Sequence, residues 1–168
     1  MQKFEGNDVG LSQYSLKDVR NIGTLLVFVA VVFGGGLTIG VSTLPGDWYA
    51  GLIKPWFNPP NWIFGPVWSV LYIAIAVGGW RTWQRDRSGL AMKVWIVQMI
   101  ANFVWSPVFF AAHRIGLAFA VILLVLGAIA AFIILTWRRD RMSALLFAPY
   151  AVWVGFASIL NGAILFLN

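Results

Sequence analysis

The sequence predicts an all-α integral membrane protein: a five-transmembrane-helix bundle with a long aromatic, Pro-rich loop between helices 1 and 2. Three observations carry that prediction. Hydrophobic residues make up 60% of the 168-residue chain and charged residues only 11%, whereas a soluble domain carries about 25% charged residues. The charges leave five uncharged stretches, residues 21–46, 55–80, 94–113, 115–137 and 142–168, each long enough for the roughly 20 apolar residues that cross the hydrocarbon core. These stretches are continuously apolar and do not alternate with period two, which selects helices over a barrel. Residues 1–20 read as a cytoplasmic tail and 21–168 as one five-helix domain.

This composition excludes a soluble enzyme, a disordered tail and a nucleic-acid reader. The net charge of +6 would ordinarily raise nucleic acid as a partner, but the basic residues have a topological explanation. Five spans place Lys3, Lys17, Arg20, Arg81, Arg85, Arg87, Lys93, Arg138, Arg139 and Arg141 on one side, against Lys54 and Arg114 on the other. Basic residues stay inside, so the N-terminus is expected in the cytoplasm and the C-terminus outside. Membrane lipid with anionic headgroups is the natural partner of the basic side. The first span is too long for a signal peptide and no A-x-A-like site follows it. The chain has no cysteine and a single histidine, which removes thiolate chemistry, disulfides and a multi-His metal site within one chain.

Taken in order, the first span carries Gly34, Gly35 and a GxxxG at Gly36–Gly40, a pattern for close helix contact within a bundle or between copies. Thr43 to Asn61 contains prolines at 45, 55, 59 and 60, which stop a continuous helix. It also carries Trp48, Tyr49, Leu52, Ile53, Trp56 and Phe57, too apolar to float in water, and is expected to fold back as a lid. The second span places Phe64, Trp68 and Tyr72 four residues apart. In the third, Gln98, Asn102, Trp105 and Phe109 follow at intervals of four, three and four, a single helical face. His113 closes that span as an interfacial residue. The fourth runs uncharged from Arg114 to Arg138, and the fifth offers Tyr150, Trp153, Phe156 and a buried Asn161. An amide in hydrocarbon must find a partner, so Asn102 is expected to point inward.

Facing one another under the lid, these stripes would line an apolar, flat-walled slot with a few neutral hydrogen-bonding groups, suited to a planar hydrophobic ligand. All six acids (Glu5, Asp8, Asp18, Asp47, Asp86, Asp140) fall in the tail or loops, which leaves no carboxylate pair and no intramembrane relay for a pump. The tryptophans sort accordingly. Trp80, Trp83 and Trp137 read as interfacial anchors, Trp48, Trp56 and Trp62 as lid, and Trp68, Trp105 and Trp153 as slot, with Trp95 either anchor or packing.

The blocks Trp48-Tyr49, Lys54-Pro55-Trp56-x-x-Pro59-Pro60, Phe64-x-Pro66-Val67-Trp68-x-x-Leu71-Tyr72, Asn102-x-x-Trp105-x-Pro107-x-Phe109-Phe110 and Pro149-Tyr150-x-x-Trp153 resemble the TspO/translocator-protein family. These are the bacterial tryptophan-rich sensory proteins and mitochondrial peripheral benzodiazepine receptors. The resemblance runs from the first span to about Asn161. It implies five transmembrane helices, commonly a homodimer, and a pocket under the first loop that takes protoporphyrin IX or haem as ligand, with no obligatory cofactor. It matches Trp68 and Trp153 to tryptophans associated with light-dependent porphyrin breakdown, Asn102 and Trp105 to the pocket, and Trp48 and Trp56 to the lid. The implied site is a bacterial cell membrane, and the implied role is that of a receptor or sensor handling porphyrins under stress. Photo-oxidative porphyrin degradation and transport of a lipophilic ligand are the alternatives. Residues 160–168 contain neither Tyr nor a basic residue, a departure from the family's sterol-recognition pattern that argues against sterol transport.

Overall fold

The computed structural model describes residues 20–168. The tail expected over residues 1–20 therefore lies outside the described residues, save Arg20. Five helices are long and apolar enough to cross a membrane: α1 Arg20–Ser42, α2 Asn61–Arg85, α3 Leu90–Ala111, α4 Ile115–Trp137 and α5 Arg141–Leu167. They are the five spans expected, with shifted ends. α1 stops short of Pro45, and α2 begins only after Pro59-Pro60, because proline lacks the N–H a helix interior needs. α2 runs on to Arg85 because its last turn has a buried anionic partner.

In the bundle α1 packs on α2 and α3, α2 on α5, α5 on α4, and α4 on α3. The ring order is thus α1–α2–α5–α4–α3. Its core is aliphatic and aromatic, with Ile75, Met92, Met99, Ile129, Phe132, Phe147 and Tyr150 all buried. A smaller core of Tyr49, Phe109, Ala118, Leu160 and Ile164 lies beneath the lid. α1 is the least embedded helix; Ile22, Leu26, Leu37 and Val41 are all more than half exposed, the face that lipid solvates.

Two helices depart from regular α geometry. α1 has a π-helical turn at Ala30–Gly34, and α3 ends in another at Pro107–Ala111. Such turns accommodate an extra residue. In α3 Pro107 brings it about, lacking an N–H to bond back, and the Ala112 N–H instead donates to the Pro107 carbonyl at 2.9 Å.

Glycine permits two close approaches that set the ring's dimensions. A Cβ on Gly36 would collide with the Tyr72 ring, and one on Gly79 with the Trp95 indole. Trp95 is buried packing, and its Nε1–H donates to the Ile75 carbonyl at 3.0 Å. The first glycine of the GxxxG therefore works inside the bundle, while Gly40 meets nothing within 4 Å.

The end of the bundle that gathers the basic residues is tied by Asp140, the residue preceding α5. Arg81 donates to both its carboxylate oxygens, at 2.7 Å and 3.2 Å. Arg85 donates through Nε at 3.1 Å and Ser143 through its hydroxyl at 2.7 Å. Burial alone would raise the Asp140 pKa, but the bonds from Arg81 and Ser143 and the two guanidinium charges outweigh it and hold the carboxyl at about 2.

A folded-state pKa below the ordinary 3.8 contributes stability above that value, and this is lost as pH falls from about 4 through 2. The contribution at neutral pH is about 2 kcal/mol. Asp140→Asn should lower the melting temperature at pH 7 and flatten its fall between pH 4 and 2; an acid profile like that of the unaltered chain would refute the assignment. Gly79→Leu should cost about 1–3 kcal/mol by overpacking and expose Trp95 to quencher, while Gly155→Ala, which meets open space, should melt with the unaltered protein.

Candidate functional site

The inward faces of α2, α3 and α5 meet in a buried chain of neutral polar groups. Tyr72 donates to Asn102 Oδ1 at 3.5 Å, Asn102 Nδ2 donates to the Tyr150 hydroxyl at 2.8 Å, and Tyr150 donates to Gln98 Oε1 at 3.1 Å. Gln98 and Tyr150 have no exposed surface, and Asn102 is buried. The chain ends on a donor without an acceptor: Gln98 Nε2 has no hydrogen-bond partner among the described residues.

Aromatic rings wall this chain. Trp68 lies 5.2 Å from Tyr72 and 6.1 Å from Tyr150, centroid to centroid. Towards the lid, Phe64 meets Trp153 edge-on at 5.7 Å, and Trp153 lies 5.9 Å from Phe156. Trp153 Nε1 is a second buried donor with no partner among the described residues. On α3, Trp105 stacks on Phe109 at 5.4 Å and donates to Asn161 Oδ1 at 3.2 Å, while Asn161 Nδ2 donates to the Ile115 carbonyl. That amide joins α3, α4 and α5 at the lid end of the site.

The connection after α1 does fold back over the bundle. One short helix, Asp47–Gly51, carries Trp48 and Tyr49. Trp48 packs edge-on against Phe109, and Tyr49 against Phe109 and Phe110. The Tyr49 hydroxyl donates to Asn58 Oδ1 at 3.1 Å; burial pushes its pKa up from the ordinary value, with the Asn58 bond a smaller opposing influence. Lys54 is consumed within the lid, donating to the Ala50 and Leu52 carbonyls and lying 4.7 Å above the Tyr49 ring. The Asn168 side chain closes the far edge, accepting from the Ile53 N–H and donating to its carbonyl, both at 3.0 Å.

Ten of the expected residues thus gather in one region: Trp48, Phe64, Trp68, Tyr72, Gln98, Asn102, Trp105, Phe109, Trp153 and Phe156. Trp56 does not join them. A turn closed by Asn58 N–H donating to the Pro55 carbonyl sends Trp56 and Phe57 in different directions. Trp56 projects outward at 96% exposure, and Phe57 is the ring that reaches Phe156, at 6.3 Å. Local spacing gives no way to choose between adjacent aromatics at a turn.

Two further residues matter more than the sequence suggested. Tyr150, one member of an aromatic stripe, is the hub that accepts from Asn102 and donates to Gln98; its place after Pro149 inside a helix was the available signal. His113, expected as an interfacial residue, lies exposed just beyond the end of α3 and stacks on Trp48 at 4.1 Å with rings 17° from parallel. It does so at φ 55°, a left-handed backbone that costs a non-glycine residue about 1 kcal/mol or more and that the Trp48 contact helps to hold.

Among the described residues the site has aromatic faces, neutral donors and no carboxylate, which suits holding a flat apolar molecule. Residues 25–167 match the TspO/MBR family. Protein CrtK of Rhodobacter capsulatus is 36% identical over 84% of this chain and 89% of its own length. The tryptophan-rich sensory protein of Cereibacter sphaeroides is 35% identical, covering 85% and 90%. The human translocator protein is 36% identical, covering 75% and 79%. An integral membrane bundle of five helices closed by an aromatic lid, matched over nearly its whole described length, belongs to the TspO/MBR family.

Proposed function

We propose that this chain is a membrane receptor or sensor whose ligand is a planar, largely apolar tetrapyrrole such as protoporphyrin IX or haem, bound between α2, α3 and α5 beneath the lid. The supporting observation is that two of the three buried side-chain donors without acceptors among the described residues, Gln98 Nε2 and Trp153 Nε1, lie among these aromatic faces, the third being Trp80 Nε1 further along α2. An unsatisfied buried donor costs about 1–3 kcal/mol, and a ligand with carbonyl, carboxylate or ring-nitrogen acceptors would relieve that cost. The rings would supply the stacking surface. The name of the Cereibacter relative, a sensory protein, is consistent with this reading. The same reading places the protein in a bacterial cell membrane, with the basic end cytoplasmic. It also includes a homodimer, for which Gly34 and Gly40 of α1, open on the outside, offer a contact face.

A second reading, light-dependent degradation of the bound pigment, is favoured by the position of Trp68 against both Tyr72 and Tyr150. With no carboxylate among the described residues of the site, any turnover would draw on the ligand's own photochemistry.

Titrating protoporphyrin IX into the purified protein should quench tryptophan fluorescence saturably. Trp153→Phe removes an unpaired donor, so it should leave the melting temperature of the free protein nearly unchanged while weakening binding several-fold; combined with Asn102→Ala the loss should reach about ten-fold. Equal affinity in the double variant would sink the proposed site. Under illumination the bound pigment should bleach more slowly in Trp68→Phe/Trp153→Phe protein, and equal bleaching would reject the degradation reading.

A further inference from the structure

The lid over residues 44–60 is braced internally and tethered on one side. The Tyr49 hydroxyl donates to Asn58 across it, and the Lys54 ammonium donates to the Ala50 and Leu52 carbonyls while lying over the Tyr49 ring. These bonds join its two arms, so the segment moves as one piece. Its covalent attachments are to α1 and α2, which are neighbours in the ring. Beside the α1 attachment, a Cβ on Gly46 would meet nothing within 4 Å, so this stem is unhindered.

Across the ring, two contacts hold the lid's far edge, one on each side of α4. Trp48 stacks on His113, in the turn between α3 and α4. Ile53 is gripped through both its N–H and its carbonyl by the Asn168 side chain, at the end of α5. Among the described residues, these two are the only hydrogen bonds from residues 44–60 to α3, α4, α5 or the residues at their ends. His113 and Asn168 both border an open depression shared with Leu117 of α4 and Leu165 of α5. The rest of the lid's footing is aromatic edges on Phe109, Phe110 and Phe156, which can part without leaving a polar group unpaired.

We propose that the lid is a flap hinged where it joins α1 and α2, latched by the His113–Trp48 stack and the Asn168–Ile53 clamp, and that it opens at the edge over α4. Opening there uncovers the small core that contains Phe109, Ala118, Leu160 and Ile164. The flap is independent of what the site holds, and its test needs no ligand.

The chain has no cysteine, so a thiol placed under the lid reports opening. Ala118 is fully buried in the small core and Ala76 in the main core. In the full chain held in lipid nanodiscs, Ala118→Cys should react slowly with a water-soluble maleimide. Adding His113→Asn removes the ring while keeping a residue that tolerates a left-handed backbone; it should speed the reaction about two- to ten-fold, the worth of one aromatic pair. Adding Asn168→Ala instead should speed it by a similar factor. The two latches share no partner and hold one flap, so the double variant should show the product of the two factors. Trp48→Leu breaks the stack from the lid side and serves should His113→Asn fail to fold, with Leu160→Cys as a second reporter. A thiol at Ala76→Cys should stay unreactive throughout. An unchanged Ala118→Cys rate in the double variant, or an equal rise at Ala76→Cys, would overturn the proposal.

Discussion

An amide or hydroxyl buried in a membrane has no water to turn to, and this chain meets that constraint at one place above all. Asn102 holds the Tyr150 hydroxyl at 2.8 Å and accepts from Tyr72, while Tyr150 in turn donates to Gln98. Three helices are fixed by four neutral side chains. Single hydrogen bonds of this kind contribute about 0.6 kcal/mol on average in a membrane protein, so their main effect is to specify which helix faces turn inward. Once those faces are set, Trp68 packs against Tyr72 and Tyr150, and Phe64 and Trp153 meet towards the lid.

Steric permission does the complementary work. Polar groups choose the faces, and glycines decide how closely the helices approach. Gly36 admits the Tyr72 ring against α1, and Gly79 admits Trp95 against α2 so closely that the indole reaches the Ile75 carbonyl. That bond depends on the absence of a side chain on the neighbouring turn. Dispersion forces across such contacts replace the hydrophobic drive that lipid surroundings remove.

The two ends of the bundle are built on opposite chemistry. At the basic end a single buried carboxylate, Asp140, collects two guanidiniums and a hydroxyl, a charge-assisted and rigid clasp. At the lid end the contacts are aromatic edges and a few neutral hydrogen bonds, with His113 held in a left-handed conformation beside Trp48. The lid end is thus held by the weaker set of contacts. The Asp140 clasp ties the end of α2 to the start of α5.

The sequence by itself determined the five spans, the inward face of α3, the lid and the family, because each depends on local properties: charge spacing, helical periodicity, proline and a contiguous motif. Gln98, Asn102, Trp105 and Phe109 share a face by arithmetic alone up to Pro107, where a π-helical turn begins. Tertiary structure decided what periodicity leaves open. It made Tyr150 the hub of the polar chain, put Phe57 and not Trp56 against Phe156, left Gln98 Nε2 and Trp153 Nε1 without acceptors, and paired Asp140 with arginines more than fifty residues away in the chain. Each of these depends on how helices distant in sequence are rotated and spaced about one another. That is fixed by which buried polar groups find partners and which glycines let two helices meet.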